Sequence, residues 1–447
     1  MPTISSLAAD LAAGRTTSRE LVEAALGRIA DPAGEGGRTF TKVYGDSARL
    51  AADAQDRLRK AGYVASPLAG LPVSIKDLFD VAGETTLAGS KALDDAPPAE
   101  ADAPIVTRLR TAGAVIVGRT NMTEFAFSGV GINPHYSTPG NPHDRSLIPG
   151  GSSSGAAVSV GDGQAVVAIG TDTGGSVRIP AALCGIFGFK PSQHRVPRDG
   201  CFPLSTTLDS IGPLANSIEC CAITDAVMAG ETPAAPPALP VNGLRLAVPQ
   251  SFVLEGCAVE VIDAFADACT ALSLAGASII EARFAEFLEY AGINATGGFG
   301  PIEAYAWHRK LIERRGNEYD QRVRTRMERA AGISAVEYIA LREARADFIA
   351  RVGALAAPFD ALLMPTVAIT APPVSAFAKD EDYRRLNALI LRNTSLINFL
   401  DGCAATVPIQ KPGHAPVGLM IAGMGGQDRH ILGVSRAIEE TLKERRR

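Results

Sequence analysis

The chain has 447 residues, 46% of them hydrophobic, and a formal net charge of −5 with both signs interspersed. That is apolar material for a large core and, by length, up to about three domains. With no basic stripe, neither nucleic acid nor an anionic membrane is expected as a direct ligand.

Seven cysteines without CxxC spacing argue against a disulfide framework or a zinc cluster, and no metal or other cofactor is expected. The N-terminus lacks the basic and apolar regions of a secretory leader. No stretch approaches the ~20 apolar residues that span a bilayer. A cytoplasmic protein is the expectation.

In chain order, residues 3–13 read as a short helix. A second helix opens on a capping box made by Thr17 and Glu20. Its apolar face comprises Leu21, Val22, Ala25, Leu26 and Ile29. A third helix is expected over residues 47–61. The short strand Val73-Ser74-Ile75 ends in Lys76-Asp77, and a strand-end lysine ordinarily carries charge into solvent. Residues 101–118 read as helix then strand. The long loop 126–148 carries two Asn-Pro turn signals, and a loop of that length is usually functional or disordered. His135 and His143 in it read as surface residues.

The stretch 149–191 is the most unusual. It holds two Gly-Gly-Ser turns, 150–152 and 174–176, around an apolar run, 165–169. Glycine serves where the chain turns sharply or approaches a ligand, so these turns read either as simple tight turns or as a site where backbone N–H groups and hydroxyls converge. Residues 231–240, with four prolines, read as an extended surface crossing. A strand follows at 242–248, helices dominate 259–353, and a buried strand is expected at 359–366. Alternating strands and helices indicate an α/β fold. The terminus 443–447 reads as a solvated helix end.

The stretch 149–191 resembles the amidase signature family of serine hydrolases. Gly150-Gly151-Ser152-Ser153-Ser154-Gly155, Gly170-Thr171-Asp172-Thr173-Gly174-Gly175-Ser176-Val177-Arg178-Ile179-Pro180-Ala181 and Cys184-Gly185-Ile186-Phe187-Gly188-Phe189-Lys190-Pro191 follow that family's pattern. Gly70-Leu71-Pro72-Val73-Ser74-Ile75-Lys76-Asp77, Arg119–Phe125 and Asp209–Ala215 fit the same family, as do 359–366 and, more loosely, 402–408 and 416–421.

The resemblance implies a twisted mixed sheet between helical layers, in one large domain over 1–447. Packing helices would occupy 1–61, the family core 62–230 and 355–440, and a variable, substrate-shaping segment 241–354. It implies Ser176 as nucleophile, Ser152 as proton relay through a cis peptide bond, and Lys76 as base. Backbone N–H groups of Thr173, Gly174, Gly175 and Ser176 would hold the oxyanion. Ser153 would hydrogen-bond to the lysine, Asp172 and Arg178 would brace the loop, and Ala126 would border the acyl pocket.

A lysine base must be neutral, so its pKa must fall by ~2–3 from about 10.4, and burial acts in that direction. Asp77 would oppose that fall and is expected to point away.

The segment 151–155 also fits G-x-S-x-G, which would make Ser153 the nucleophile with a downstream histidine such as His194, His308, His414 or His430. Nothing around it resembles the α/β-hydrolases. The implied activity is hydrolysis of a small carboxamide (aryl, indolyl, aliphatic or urea-like), by a chain that in this family is commonly a homodimer. The competing reading is the glutaminase component of a tRNA-dependent amidotransferase, which works with companion proteins. Against it, Leu386–Thr394 has no carboxylate for glutamine's ammonium, and Ser192-Gln193-His194-Arg195 departs from that component's T-x-G-R. A catalytically dead scaffold is disfavoured because Lys76, Ser152 and Ser176 are all present.

Overall fold

In a computed structural model that describes residues 2–443, eleven strands form one mixed sheet. They are β1 (Phe40–Val43), β2 (Pro72–Lys76), β3 (Val115–Thr120), β4 (Val167–Asp172), β5 (Phe187–Lys190) and β6 (Ser210–Ala215). The remainder are β7 (Arg245–Pro249), β8 (Ser278–Ala282), β9 (Ala361–Pro365), β10 (Cys403–Pro408) and β11 (Gly418–Gly423). Across the sheet the order is β1-β3-β2-β4-β6-β5-β10-β11-β9-β7-β8. β2 lies parallel to β3 and β4, and β9, β7 and β8 form a second parallel group. The pairs between those groups are antiparallel.

Every residue of β2, β3, β4, β5, β6, β9 and β10 is buried. Strands buried on both faces read as near-continuous apolar runs and need helices on each side. Val73, Ile75, Val167 and Ile169 belong to the largest apolar cluster, whereas Ala168 packs with Ala156, Ala157 and Val160 of the helix Ser154–Gly161. On that second face the Ser74 and Ser159 hydroxyls pair at 2.9 Å.

The N-terminal helices form at Ile4–Ala12, Ser18–Ala30 and Gly45–Lys60, and the Thr17/Glu20 capping box is made. The crossing at 231–240 has no regular structure. It lies along the helix Asp428–Lys443, where Leu239 N–H donates to the Gly433 carbonyl at 3.2 Å. Of the terminus 443–447, only Lys443 falls within the described residues.

The helical stretch expected at 259–353 is interrupted by β8. Ser278-Ile279-Ile280-Glu281-Ala282 is too short an apolar run to carry a helical period, and it is half-exposed because it closes the sheet edge. The loop 126–148 is held by buried asparagines. Asn133 Nδ2 donates to Gly89 and Met122 carbonyls at 2.8 and 2.7 Å, and Asn141 Nδ2 to Ile148 and Leu183 carbonyls at 2.9 Å each. Among the described residues no helix is long and apolar enough to cross a membrane.

Candidate active site

The parallel pairing of β2 with β4, Ile75 opposite Ile169, brings the C-terminal ends of both strands together. Lys76 closes β2 and is fully buried. Its Nζ donates to Ser152 Oγ at 2.7 Å and Thr171 Oγ1 at 2.8 Å. Burial pushes its pKa down to about 7, against weaker opposing pulls from Cys201, Asp172 and Asp209. A neutral amine keeps a lone pair, so it can also accept the Ser152 proton. Asp77 does point elsewhere: its Oδ1 accepts from Arg119 Nε at 2.7 Å.

Ser152 sits where three segments crowd together. Gly150 has φ +76°, the Gly151–Ser152 bond is cis, and a Cβ on Gly131 would lie 2.3 Å from the Gly150 carbonyl oxygen. The Ser152 carbonyl accepts from Thr123 N–H at 3.0 Å, and Ser153 N–H donates to the Ser176 carbonyl at 3.3 Å. Ser153 is not the lysine's second partner. Its hydroxyl, in the N-cap position of the following helix, donates to the Thr171 carbonyl at 3.3 Å, and Thr171 Oγ1 takes the place expected for it.

The turn Thr173–Ser176 hangs from Asp172. That carboxylate accepts from Gly175 N–H at 2.8 Å and Val177 N–H at 3.1 Å. Arg178 pairs with it through Nη2 at 2.9 Å and Nε at 3.1 Å, fully buried on both sides. Despite burial, the Arg178 charge and hydrogen bonds hold the Asp172 carboxyl well below the usual carboxylate range. Asn398 closes the brace, donating to Asp172 Oδ1 at 2.9 Å and accepting from Arg178 at 2.6 Å.

One expected donor is thereby removed. The Gly175 N–H is engaged by Asp172, because a φ of +132° turns that peptide toward the carboxylate. The N–H groups of Thr173, Gly174 and Ser176 have no protein acceptor among the described residues. Thr394 and Ser395 hydroxyls donate to the Gly174 carbonyl at 2.7 and 3.0 Å, which fixes that peptide's orientation. Thr173 Oγ1 donates to Asp209 Oδ1 at 2.5 Å, and Asp209 Oδ2 accepts from Leu204 and Ser205 N–H at 2.9 and 3.0 Å.

These groups open on a cavity of about 160 Å³ whose wall includes Ala126, Thr173, Gly174, Ser176, Arg326 and Ser395. Phe125 and Ala126 enter it with φ of +50° and +60°, the left-handed region costly for residues with a side chain. Sequence reasoning missed Thr171, Asp209, Arg326 and Asn398. The first two lay inside matched motifs but were given no role. Arg326 and Asn398 sit in helices whose sequence carries no motif. Ser153, the alternative nucleophile, has no histidine partner among the described residues. His308 pairs with Tyr319 at 2.9 Å, and His414 and His430 reach the Pro412 and Asp360 carbonyls. His135 braces Glu124 at 2.8 Å.

The amidase family's sequence profile matches residues 20–432. The chain is 36% identical over 410 residues to 2-amino-5-chloromuconic acid deaminase of Comamonas testosteroni, covering 89% of this chain and 87% of that protein. It is 39% identical over 292 residues to the first component of the glutamyl-tRNA(Gln) amidotransferase of Chloroflexus aggregans, covering 62% and 59%. A solved amidase superposes with a TM-score of 0.89 at 31% identity, covering 99% of this chain and all of that one. An enzyme-like site on this sheet and a match across nine-tenths of the sequence agree: the chain belongs to the amidase signature family of amidohydrolases.

Proposed function

We propose that this amidohydrolase cleaves a small carboxamide to carboxylate and ammonia through a seryl acyl-enzyme, with Ser176 as nucleophile, Ser152 as relay and Lys76 as base. The reading rests on one observation above others: a fully buried lysine, its pKa lowered to about 7, in contact with the Ser152 hydroxyl at 2.7 Å. A serine hydroxyl is a weak nucleophile without such a base.

In the first half-reaction Lys76 takes the Ser152 proton and Ser152 takes the Ser176 proton. Ser176 Oγ bonds to the amide carbon. The oxyanion is met by the N–H groups of Thr173, Gly174 and Ser176, three donors rather than four. The C–N bond then breaks, and the proton returns along the relay to the nitrogen, which leaves as ammonia. In the second half-reaction water gives its proton to the same relay and its oxygen to the acyl carbon. The Ser176 ester bond breaks, and Ser176 recovers its proton. Each oxyanion donor is worth about 10²–10³ in rate.

The test is ammonia release from a panel of primary amides, including free glutamine, by the chain alone and by Ser176→Ala. Turnover of a non-glutamine amide that is lost in the variant supports the proposal. Turnover of glutamine alone, and only with companion proteins, would favour the amidotransferase reading. The cavity wall speaks against that reading, since its described residues include no carboxylate for an α-ammonium group.

A further inference from the structure

Arg326 enters the cavity wall that also holds Ser176 and the open N–H groups. It comes from the helix Gln321–Glu328, within the segment that carried no motif. Its Nη1 donates to the Phe127 carbonyl at 2.5 Å, and its guanidinium lies 4.6 Å from the centre of the Phe127 ring. Arginine has five N–H donors in a planar fork. Among the described residues the other N–H groups have no acceptor, and no carboxylate forms an ion pair with it.

Nearby Arg329 adds positive charge, and burial holds the Arg326 pKa below the ordinary arginine value. The remaining wall is apolar or neutral: Leu204, Leu208, Phe299 and Leu391 with Ser128 and Asn294. A partly buried cation without an anion is costly, and a bidentate carboxylate is the group whose geometry matches the open fork.

We propose that Arg326 binds a carboxylate of the substrate, so that the enzyme acts on the monoamide of a short dicarboxylic acid. This rests on the amide hydrolysis proposed above. Size sets the spacer. A cavity of about 160 Å³ is close to the ~150 Å³ that holds one benzene, so about two to four carbons separate amide from carboxylate. With no acidic residue among those described in the wall, the acid carries no α-ammonium, which separates this substrate class from glutamine. The products are a dicarboxylate and ammonia.

Succinamate and glutaramate differ from succinamide and glutaramide by little more than charge. The expected result is kcat/KM about 10–100-fold higher for the acids. Arg326→Gln should remove that preference through KM, while leaving the diamides within about threefold. Glutarate, the product, should inhibit the wild type competitively, and glutaramide should compete far less well; this arm needs no variant. Equal rates on acids and diamides overturn the proposal while leaving hydrolysis standing, as does an equal loss on both in Arg326→Gln, which would mark Arg326 as support for Phe127. If no amide is turned over in a Ser176-dependent way, the hydrolytic reading falls. Glutarate binding by calorimetry then decides the carboxylate site alone: binding upholds it and no binding overturns it.

Discussion

Lys76 sets the pH behaviour at the scale of a single residue. Its folded pKa, about 7, lies below the unfolded value near 10.4. The neutral, base-competent form therefore appears as pH rises through about 7, and kcat/KM should rise with it before levelling. The same shift makes a stability statement. Between pH 7 and 10 the unfolded chain holds a proton that the folded chain lacks, so stability rises with pH across that window. Lys76→Met should abolish turnover and stabilise the fold by about 1–3 kcal/mol at pH 7, with the gain shrinking toward pH 10. Urea denaturation at two pH values checks it. A variant that is equally stable at both would mean the lysine is charged in the fold.

Asp209 carries a second prediction at this scale. Its carboxylate accepts from one hydroxyl and two backbone N–H groups, although burial raises its pKa to about 6. In Asp209→Asn the side-chain NH₂ must face donors. Thr173 should lose its anchor, and kcat should fall about 10–100-fold with a smaller change in KM. Steady-state kinetics on the preferred amide would read this. Gly175 is constrained differently, because a Cβ there would lie 2.2 Å from Thr394 Oγ1. Gly175→Ala should destabilise by about 2 kcal/mol or more, measured by thermal unfolding.

Among the elements, the helix Asp380–Phe399 does most to shape the site. Leu391, Thr394, Ser395 and Asn398 recur at helical spacing, and they face the Thr173–Ser176 turn or its brace. Asn398→Ala leaves Arg178 and Asp172 short of partners inside the core. It should cost about 1–3 kcal/mol of stability and lower kcat, read by denaturation and kinetics together.

A comparable tie joins the pocket wall to the motif-free segment. Glu303, on the helix Phe299–Arg315, accepts from the Ser205 and Thr207 hydroxyls, from Thr207 N–H at 3.0 Å and from Tyr338 at 2.7 Å. Elements with strong local signals were legible from sequence: the Thr17/Glu20 box starts its helix, and Lys76 ends its strand. β8 was not, since its placement depends on pairing with β7 rather than on its own five residues. The Ser153 and Thr171 exchange was hidden for a similar reason. Both residues fit their motif, and only the fold decides which hydroxyl turns toward the lysine.

Over the whole molecule the candidate site is assembled from distant parts of the chain. The lysine comes from β2, the relay serine from the loop before a helix, and the nucleophile from the turn after β4. Arg326 and the Asp380–Phe399 helix come from much later in the sequence. Motif matching reached the first group because its residues lie in short matched runs. It did not reach Arg326, because a side chain's lack of a partner can be seen only after every neighbour is placed.

The pairing of β5 with β10 has a consequence during synthesis. When Lys190 leaves the ribosome, the strand that will cover its edge, Cys403–Pro408, has not been translated. Arg178 and Asp172 likewise wait for Asn398. The growing chain therefore carries an open strand edge and an incomplete buried ion pair through most of its translation, and the nucleophile's turn gains its full support only near the end. A ribosome stalled before residue 398 would hold a chain with all three proposed catalytic residues and no working enzyme.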